Sequence, residues 1–404
     1  MTTRVRASKY RHLFGTPFQL RDCYGDICIG QCSTESTVLK ANDQFFALPW
    51  AEKGSICITP LARVGTVPED TPLILNINED QERTAINELE FSPHNNHLIA
   101  VAGQDGGVAA FRIPDGDAGL TANIDTAVAR IQASDKRLLS VGWHPLASGV
   151  VYTASANKKI SFFDLDAGSE IFSLPEVHKG LFTNGSWNGD GSQFATCCKD
   201  KKLRIFDPRS SSVVAETDNH QSAKSAHVKW MGNANVICTA GFTRTSEREL
   251  ATYDPRNMAT RMHTEKLSSS SSAVMMFGDE DCNILFLAGK GDSSLTYFEV
   301  TPDAPGVHLL SEYKSNTPQN GLALLPKTCC NINKCELARF LKLSGTRVEP
   351  IRFEVPRQQS DNFFQDDLFP PTSDRKASMT ASEWVSGANT PQGKIDLEQF
   401  YQSA

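Results

Sequence analysis

The sequence contains no long hydrophobic run. No window approaches the roughly 18 to 20 apolar residues that a membrane-spanning helix requires, and the N-terminal MTTRVRASKYRHLFG has no apolar stretch of signal-peptide length. The 11 cysteines are an odd number scattered along 404 residues, which favours a reducing compartment over a disulfide scaffold. We therefore expect a protein that is not transmembrane and that resides in the cytoplasm.

Metal-binding and catalytic motifs are missing as well. Three cysteines lie close together within 23–32 and three within 329–335, but neither group has the repeated C-x-x-C spacing of a zinc site. The histidines show no ligand spacing, and no G-x-S-x-G, H-E-x-x-H or phosphate-binding G-x-x-x-x-G-K-[ST] motif occurs. The sequence therefore predicts no metal, no other cofactor and no enzymatic activity, and we interpret the cysteines as small buried apolar residues.

A dominant positive charge is also lacking. The formal net charge is −7, which argues against nucleic acid as the partner. The exception is the N-terminus, because residues 1–21 contain no acidic side chain and include Arg4, Arg6, Lys9 and Arg11.

The middle of the chain is periodic. A large apolar residue followed by a turn recurs at intervals of 43 to 52 residues, at Phe91, Trp143, Trp187, Trp230, Phe277 and Leu324. After each turn come a short apolar strand, a polar turn and, in the first five repeats, a second strand that ends in an aromatic residue. A period in the forties built of short strands is the sequence signature of a WD40-type β-propeller.

The polar turn between the second and third strands of a repeat carries an acidic or amide residue. These turn residues are Asp105, Asn157, Asp200 and Asp292. Side chains of this kind accept hydrogen bonds from the amides of their own turn. We therefore interpret them as structural residues that bond turn amides and a neighbouring side chain.

The ends of the chain set the number of blades. Five clear repeats, a strand-turn-strand unit at 37–61 and a last unit at 334–356 make seven. An early strand within 22–32 is expected to add to the last blade and close the ring, which removes exposed sheet edges. The predicted fold is all-β, a seven-bladed WD40-type β-propeller spanning residues 1–357 with the N-terminal strand closing the last blade.

Residues 358–404 differ from the repeats. They are acidic overall and show no strand periodicity, yet they contain Phe363, Phe364, Leu368, Phe369, Trp384 and Phe400. Because a solvated linker has few large apolar groups, this segment is predicted to be a C-terminal extension packed on the propeller surface. Within it, RKAS at 375–378 places Ser378 behind two basic residues; phosphorylation there is one hypothesis and an unmodified serine is the other.

Several long phrases resemble the coronins. They are ASKYRHLFG (7–15), DCYGDI (22–27), FTRTSERELATYDPRNM (242–258), GKGDSSLTYFEV (289–300), NKCELARFLKL (333–343) and VPRQQSDNFFQDDLFPPT (355–372). The resemblance covers nearly the whole chain. It implies a seven-bladed propeller that binds actin filaments (F-actin) and regulates their turnover at the actin cytoskeleton and cell cortex.

Two features depart from that family. Coronins commonly carry an arginine, associated with filament contact, directly after the Tyr-x-Asp-Ile motif, and this chain has Cys28 there. Coronins also generally end in a coiled coil that oligomerises them, whereas this chain reaches Ala404 without sustained heptads. The sequence is either a piece of a longer protein or a short variant, and we expect oligomerisation to require a coiled coil absent from this chain.

Because actin filaments are acidic, the residues expected to contact them are basic. The candidates are the N-terminal Arg4, Arg6, Lys9 and Arg11 and the blade-turn residues Lys158, Lys159, Lys199, Lys201 and Lys202. Two alternatives remain open: the turn lysines only solubilise exposed loops, and the N-terminal group pairs with the acidic extension.

A longer loop and a second kind of function also remain open. Arg244, Glu247 and Arg248 lie in a loop that breaks the repeat pattern, and they either contact a partner or form a local salt bridge. The alternative function is a general WD-repeat scaffold that binds other cytoskeletal proteins or anionic lipid and contacts actin weakly.

Overall fold

The computed structural model describes residues 6–33, 35–78, 80–267, 270, 272–358 and 363–402. In this part of the chain, six four-stranded antiparallel sheets and one six-stranded sheet are arranged as seven blades around an axis. Helices are few and short. The predicted fold class, a seven-bladed β-propeller with a packed C-terminal extension, is confirmed.

The strands are numbered in chain order, and the first two belong to the last blade. They are β1 (Phe14–Pro17) and β2 (Tyr24–Gly25). Blade 1 contains β3 (Lys40–Ala41), β4 (Phe45–Pro49), β5 (Ser55–Pro60) and β7 (Leu73–Leu75), and the short β6 (Gly65–Thr66) pairs with β2. Blade 2 contains β8 (Ile86–Phe91), β9 (Leu98–Gly103), β10 (Gly107–Arg112) and β11 (Ala129–Gln132).

The next four blades follow the same order from the axis outward. Blade 3 contains β12 (Leu138–Trp143), β13 (Val150–Ser155), β14 (Ile160–Asp164) and β15 (Ser169–Ser173), and blade 4 contains β16 (Phe182–Trp187), β17 (Phe194–Cys198), β18 (Lys202–Asp207) and β19 (Ser212–Asp218). Blade 5 contains β20 (His227–Met231), β21 (Val236–Phe242), β22 (Arg248–Tyr253) and β23 (His263–Lys266), and blade 6 contains β24 (Val274–Asp279), β25 (Ile284–Gly289), β26 (Ser294–Val300) and β27 (Val307–Lys314).

Blade 7 and the extension complete the molecule. Blade 7 contains β28 (Gly321–Leu324), β29 (Glu336–Ser344) and β30 (Arg347–Glu354). The extension forms the small pair β31 (Thr372–Ser373) and β32 (Lys394–Ile395) and one helix, α1 (Ala381–Val385). Short 3-10 helices lie at Leu20–Asp22, Lys327–Cys329, Ile332–Lys334 and Leu397–Phe400.

The position of a strand in its blade explains its composition. The middle strands β13 and β21 are buried along their whole length because neighbouring blades cover both of their faces, and they are accordingly almost continuously apolar. The outermost strand β19 is mostly exposed and mixes polar residues with the exposed Val213 and Val214. The repeated aromatic positions of the sequence lie in the core; Phe111, Phe163, Phe206, Tyr253 and Phe298 are all buried at the third strands.

The ring is closed at blade 7 by the N-terminus. β1 pairs with β30 over four residues, whereas only Tyr24 of the predicted 22–32 segment pairs with β30, opposite Val348. The closing strand therefore lies earlier in the chain than expected. Packing explains this choice, because Gly15 fits against the rings of Phe353 and Tyr313, where any Cβ would approach within 3 Å.

Strand direction gives the disc two different ends. The innermost strands contact one another around the axis, and successive strands are antiparallel. The turns between second and third strands and the connections between blades therefore lie at one end, which we call the open end. The turns between first and second strands and between third and fourth strands lie at the other, which we call the covered end.

The extension lies across the covered end. It contacts first-to-second-strand turns of three blades: Thr372 Oγ1 donates to Asp281 at 2.5 Å, Arg375 Nε pairs with Asp43 at 2.8 Å, and the Ser378 amide donates to Leu146 O at 3.0 Å. Leu368, Phe369, Trp384 and Leu397 are buried. The prediction that the extension packs on the propeller is thus confirmed.

Candidate partner-binding surface

The four acidic or amide turn residues are at the open end, and each accepts several hydrogen bonds. Asp105 accepts from Thr84 Oγ1 at 3.2 Å and from the Gly107 amide at 3.0 Å. Asp292 accepts from the guanidinium of Arg248 and from Ser270 Oγ at 2.9 Å. These side chains are thus occupied by groups of their own and the adjacent blade.

The same arrangement recurs in blades 3 and 4. Asn157 Oδ1 accepts from the Lys159 amide at 3.0 Å, while its Nδ2 donates to Ser134 Oγ at 3.1 Å. Asp200 accepts from the amides of Lys179 at 3.0 Å and Lys202 at 3.2 Å. The Asp200 carboxylate also accepts from the buried Arg204 guanidinium at 2.8 Å. Their structural role remains a prediction that substitution can test.

Three of the five candidate turn lysines are exposed at the open end. Lys158 follows Asn157 and Lys201 follows Asp200, and both have the left-handed backbone (φ 73° and 67°) that the tight turn requires. Lys199 precedes Asp200. None of these three side chains forms a hydrogen bond or ion pair with any other described residue, and Lys199 interacts electrostatically with the nearby Glu35 carboxylate.

The other two turn lysines are compensated within their own blades. Lys159 Nζ pairs with Glu170 at 2.9 Å. Lys202 Nζ pairs with Asp218 at 2.7 Å and with Glu216 at 3.6 Å. Their charges therefore contribute less to the field of the open end than those of Lys158, Lys199 and Lys201.

The structure adds a basic residue that the repeat pattern missed. Lys179 lies in the connection between blades 3 and 4, its side chain is exposed, and its amide bonds to Asp200 in the next turn. Connections between blades vary in sequence, so periodicity does not mark them. Blade topology is the signal, since it places every such connection at the end that carries the turn lysines. We call Lys158, Lys179, Lys199 and Lys201 the lysine cluster.

The N-terminal basic group is at the opposite end. Arg4 lies outside the described residues. Arg6 forms an ion pair with Glu299 at 2.5 Å, and Lys9 Nζ donates to the carbonyl oxygen of Asp367 in the extension. Arg11 is exposed. The candidate residues thus form two separate groups, and Arg6 and Lys9 are engaged in contacts within the chain.

Cys28 belongs to the open end. The preceding Ile27 amide donates to Thr346 O in the turn of blade 7 at 2.9 Å, and the following Ile29 bridges to Trp50 beside the turn of blade 1. Cys28 is half-buried and its thiol faces Asp26 O at 3.8 Å. This position therefore shares the end that carries the lysine cluster but contributes no charge.

The longer loop of blade 5 separates into structural and exposed residues. The Arg248 guanidinium is buried, bonding Asp292 and Ser272 O (2.9 Å from Nε), so this arginine joins blades 5 and 6. Arg244 is exposed at the open end, and Glu247 donates its amide to Thr243 Oγ1 at 3.1 Å. Only Arg244 of the loop presents a positive charge to solvent.

The buried cysteines and histidines described next pack in the protein interior in their uncharged forms. Burial raises the pKa of the thiols of Cys57 and Cys282 to about 11 and about 12, which keeps them protonated. Burial lowers the pKa of His144 to about 3, and its neutral ring accepts from the amides of Leu146 and Ala147. Among the described residues, no group of three or more His, Cys, Asp or Glu side chains is arranged to hold a metal ion.

The covered end holds a cavity of about 510 Å³ between the extension and the axis. Its charged lining groups have partners; Lys229 bonds Glu280 within the lining at 2.8 Å, and Arg375 bonds Asp43, outside the lining, at 2.8 Å. The cavity therefore offers little uncompensated charge to a ligand. In the part of the chain that the structure describes, no helix is long and apolar enough to cross a membrane.

Family models match three parts of the chain. Residues 3–66 match a domain of unknown function (DUF1899), residues 172–207 match the WD domain, G-beta repeat, and residues 348–392 match a type of WD40 repeat. The second match spans the end of the outer strand of blade 3 and the first three strands of blade 4. The third spans β30 and much of the extension, so it does not correspond to one blade.

Whole-chain comparisons extend this similarity. The chain is 36% identical over 399 residues to Coronin-A of Dictyostelium discoideum, covering 98% of this chain and 87% of that protein. The crystal structure of the WD40 domain of Toxoplasma gondii coronin superposes with a TM-score of 0.88 at 27% identity, covering 96% and 97% of the two chains. A chain in a crystal structure of the mitotic checkpoint complex has a TM-score of 0.62 at 15% identity over 89% of this chain and 99% of its own, which shows a shared fold.

Proposed function

Because the chain belongs to the coronin family, we propose that it binds actin filaments and regulates their turnover, and that the open end of the propeller makes the contact. This role places the protein in the cytoplasm, at the actin cytoskeleton and cell cortex. The filament is an acidic partner, so binding should depend on positive charge and weaken with salt.

The lysine cluster is the observation that carries the proposal. Its four side chains come from two adjacent blades and one connection, and each is exposed. The turn carboxylate of Asp200 does not neutralise the cluster, because it is already bonded to Arg204 within the blade. Four like charges at neighbouring turns create a locally positive field on an otherwise acidic protein, and the carboxylates of Glu35, which interacts with Lys199, and Asp135, which bonds Asn157, offset part of it.

The covered end is a weaker candidate for the filament contact. The extension occupies its turns, and the two described N-terminal cations with partners, Arg6 and Lys9, contact Glu299 and Asp367. A filament would have to compete with these contacts. We therefore assign Arg6 and Lys9 to holding the N-terminus, and we assign filament contact to the lysine cluster.

Cosedimentation with actin filaments at two salt concentrations tests the proposal. The variant Lys158→Ala/Lys199→Ala/Lys201→Ala removes three charges from the open end. The matched control Arg11→Ala/Arg63→Ala/Lys376→Ala removes three exposed charges from the covered end. We expect the first variant to lose most binding, the control to pellet like the parent chain, and Cys28→Arg to pellet more strongly because it adds a charge to the same end.

Other outcomes would contradict the proposal. Loss of pelleting in the control but not in the lysine variant would move the contact to the covered end. No pelleting of the parent chain, together with lysine-dependent binding to vesicles containing phosphatidylserine, would favour the scaffold alternative with an anionic membrane as partner. Vesicles of neutral phosphatidylcholine separate charge-dependent from non-specific membrane binding.

A further inference from the structure

Ser378 lies at the last cross-link of a hairpin in the extension. The hairpin begins at the β31–β32 pair and continues beyond it through bonds that join Asp374 N to Gly393 O (2.9 Å), Gln392 Nε2 to Lys376 O (3.0 Å) and Ser378 Oγ to Thr390 O (3.1 Å). Residues 379–389 form the loop that this last bond closes. The Ser378 hydroxyl donates in this bond.

The loop is anchored to blades 3 and 4. Trp384 on α1 is fully buried, and its Nε1 donates to Gly191 O at 3.2 Å. Met379 next to the serine is also buried and pairs with Ala147. α1 is capped by Thr380, whose hydroxyl and amide both bond Glu383. The anchor therefore holds the segment around Ser378 against the propeller.

Two basic residues stand three and two positions before the serine. Lys376 is exposed, and Arg375 pairs with Asp43. Cations at these positions complement the acidic subsites of a protein kinase that selects basic sequences. We propose that Ser378 is a phosphorylation site for such a kinase, and that docking of the Trp384 loop controls access to it.

The reaction is an ordinary phosphoryl transfer. The Ser378 Oγ forms a bond to the γ-phosphorus of ATP, the bond from that phosphorus to the bridging oxygen breaks, and ADP leaves. The hydroxyl proton passes to the catalytic base of the kinase. The kinase and Mg-ATP supply everything that the reaction needs besides the serine.

Docking and phosphorylation exclude each other for a geometric reason. A kinase must hold several residues around the serine in its own cleft, whereas here Met379 is buried, Arg375 is paired and Ser378 is bonded to Thr390. The segment must therefore lift before transfer, and the rate follows the fraction of lifted molecules. Afterwards the phosphorylated oxygen has no proton to donate to Thr390, so the modification favours the lifted state.

The experiment compares rates of phosphorylation by a purified basic-sequence-directed Ser/Thr kinase with Mg-ATP. The substrates are the full chain, its Ser378→Ala, Trp384→Ala, Glu383→Ala and Val385→Ala variants, and a peptide covering 372–385. Peptides with the same substitutions show how far each substitution changes the phosphorylation rate through recognition by the kinase alone. Intact mass gives the extent of reaction and fragment masses give the position.

We expect phosphate on Ser378 in the peptide and in the full chain, and none at this position in Ser378→Ala. Each chain's phosphorylation rate is divided by the rate of the peptide that carries the same substitution. This normalised rate should be at least about tenfold higher for Trp384→Ala than for the parent chain, which corresponds to about 1.4 kcal/mol in the equilibrium between the docked and lifted states. Glu383→Ala should react faster by a smaller factor, and Val385→Ala should match the parent because that side chain is exposed.

Two results would overturn the proposal. A peptide that is not phosphorylated, or phosphate found elsewhere in the extension, would show that Ser378 is not the site. Equal normalised rates for the parent chain, Trp384→Ala and Glu383→Ala would show that docking does not control access. If Trp384→Ala fails to fold, the Glu383→Ala variant still tests whether docking controls access to Ser378, since Glu383 is exposed and away from the core.

Discussion

Trp384 anchors the extension, and its replacement by alanine should detach the loop. The ring packs against His144, Phe172 and Trp187, with centroid distances of 4.7, 5.6 and 5.8 Å. A buried tryptophan covers about 150–250 Å², which corresponds to about 4–6 kcal/mol at about 25 cal/mol per Å². Measured Trp→Ala changes in protein cores cost about 3–5 kcal/mol.

The hydrogen bond of the indole adds little to this cost. Gly191 O, which accepts from Trp384 Nε1, also accepts from His144 Nε2 at 2.9 Å. The carbonyl therefore keeps a partner in the variant, and no buried acceptor is left unpaired. We take about 3 kcal/mol as the loss of docking free energy in Trp384→Ala.

Limited trypsin digestion measures this loss. Arg375 and Lys376 lie in the anchored segment, and cleavage there follows the population of the lifted state. A loss of about 3 kcal/mol raises that population about a hundredfold, so cleavage after these residues should accelerate by up to that factor while the blades stay intact. The control Val385→Ala changes an exposed neighbour on α1 and should be cut like the parent chain.

Equal cleavage rates for Trp384→Ala and the parent chain would contradict this prediction. They would show that the contacts of Thr372, Arg375 and Met379 hold the extension without the tryptophan. Simultaneous cleavage inside the blades would contradict the prediction that the loop lifts by itself, because it would show that the extension unfolds together with the propeller.

Two further predictions concern stability. Asp200→Ala should lower the free energy of unfolding by about 2–3 kcal/mol, which is less than the about 3–5 kcal/mol lost when a buried charge has no partner, because Glu216 still bonds Arg204. The control Asp254→Ala, which breaks an exposed pair with Arg256, should lower it far less. Equal losses for the two variants in urea denaturation would contradict the structural role of Asp200. Because burial lowers the pKa of His144 to about 3, the unfolded chain binds a proton below about pH 6.5 that the folded chain does not. The stability that this residue contributes is complete above pH 6.5 and should fall by about 2 kcal/mol between pH 6.5 and 5; His144→Gln should remove that part of the slope, and an unchanged slope would exclude His144 as its source.

Much of the fold could be predicted because blade repeats are local. Trp187 ends β16 and Phe206 lies near the end of β18, so the pattern that predicts a blade is contained within about forty residues of sequence. The closing strand was less predictable. β1 is chosen by its fit against β30 at the far end of the chain, and nothing in the Phe14–Pro17 sequence alone distinguishes it from the segment at 22–32.

The candidate site could be predicted only in part. The turn lysines were found because they occupy a repeated position, whereas Lys179 was missed because connections between blades have no period. The division of the chain at 357 and 358, and the binding role of each lysine, stay predictions. The alternative that the N-terminal group pairs with the acidic extension stays a prediction, because Lys9 donates to the backbone carbonyl of Asp367 in the extension whereas Arg6 pairs with Glu299 in blade 6.

The number of blades, the position of their turns and the family follow from the amino-acid sequence alone, because these depend on patterns that repeat from blade to blade or on long matching phrases. Which end of the propeller is covered becomes visible only in the folded chain. That depends on contacts such as Arg375 with Asp43 and Trp384 with Gly191, which join residues far apart in the chain through shape and charge. No local pattern encodes such a contact, and the extension covers the end opposite to the exposed turn lysines Lys158, Lys199 and Lys201.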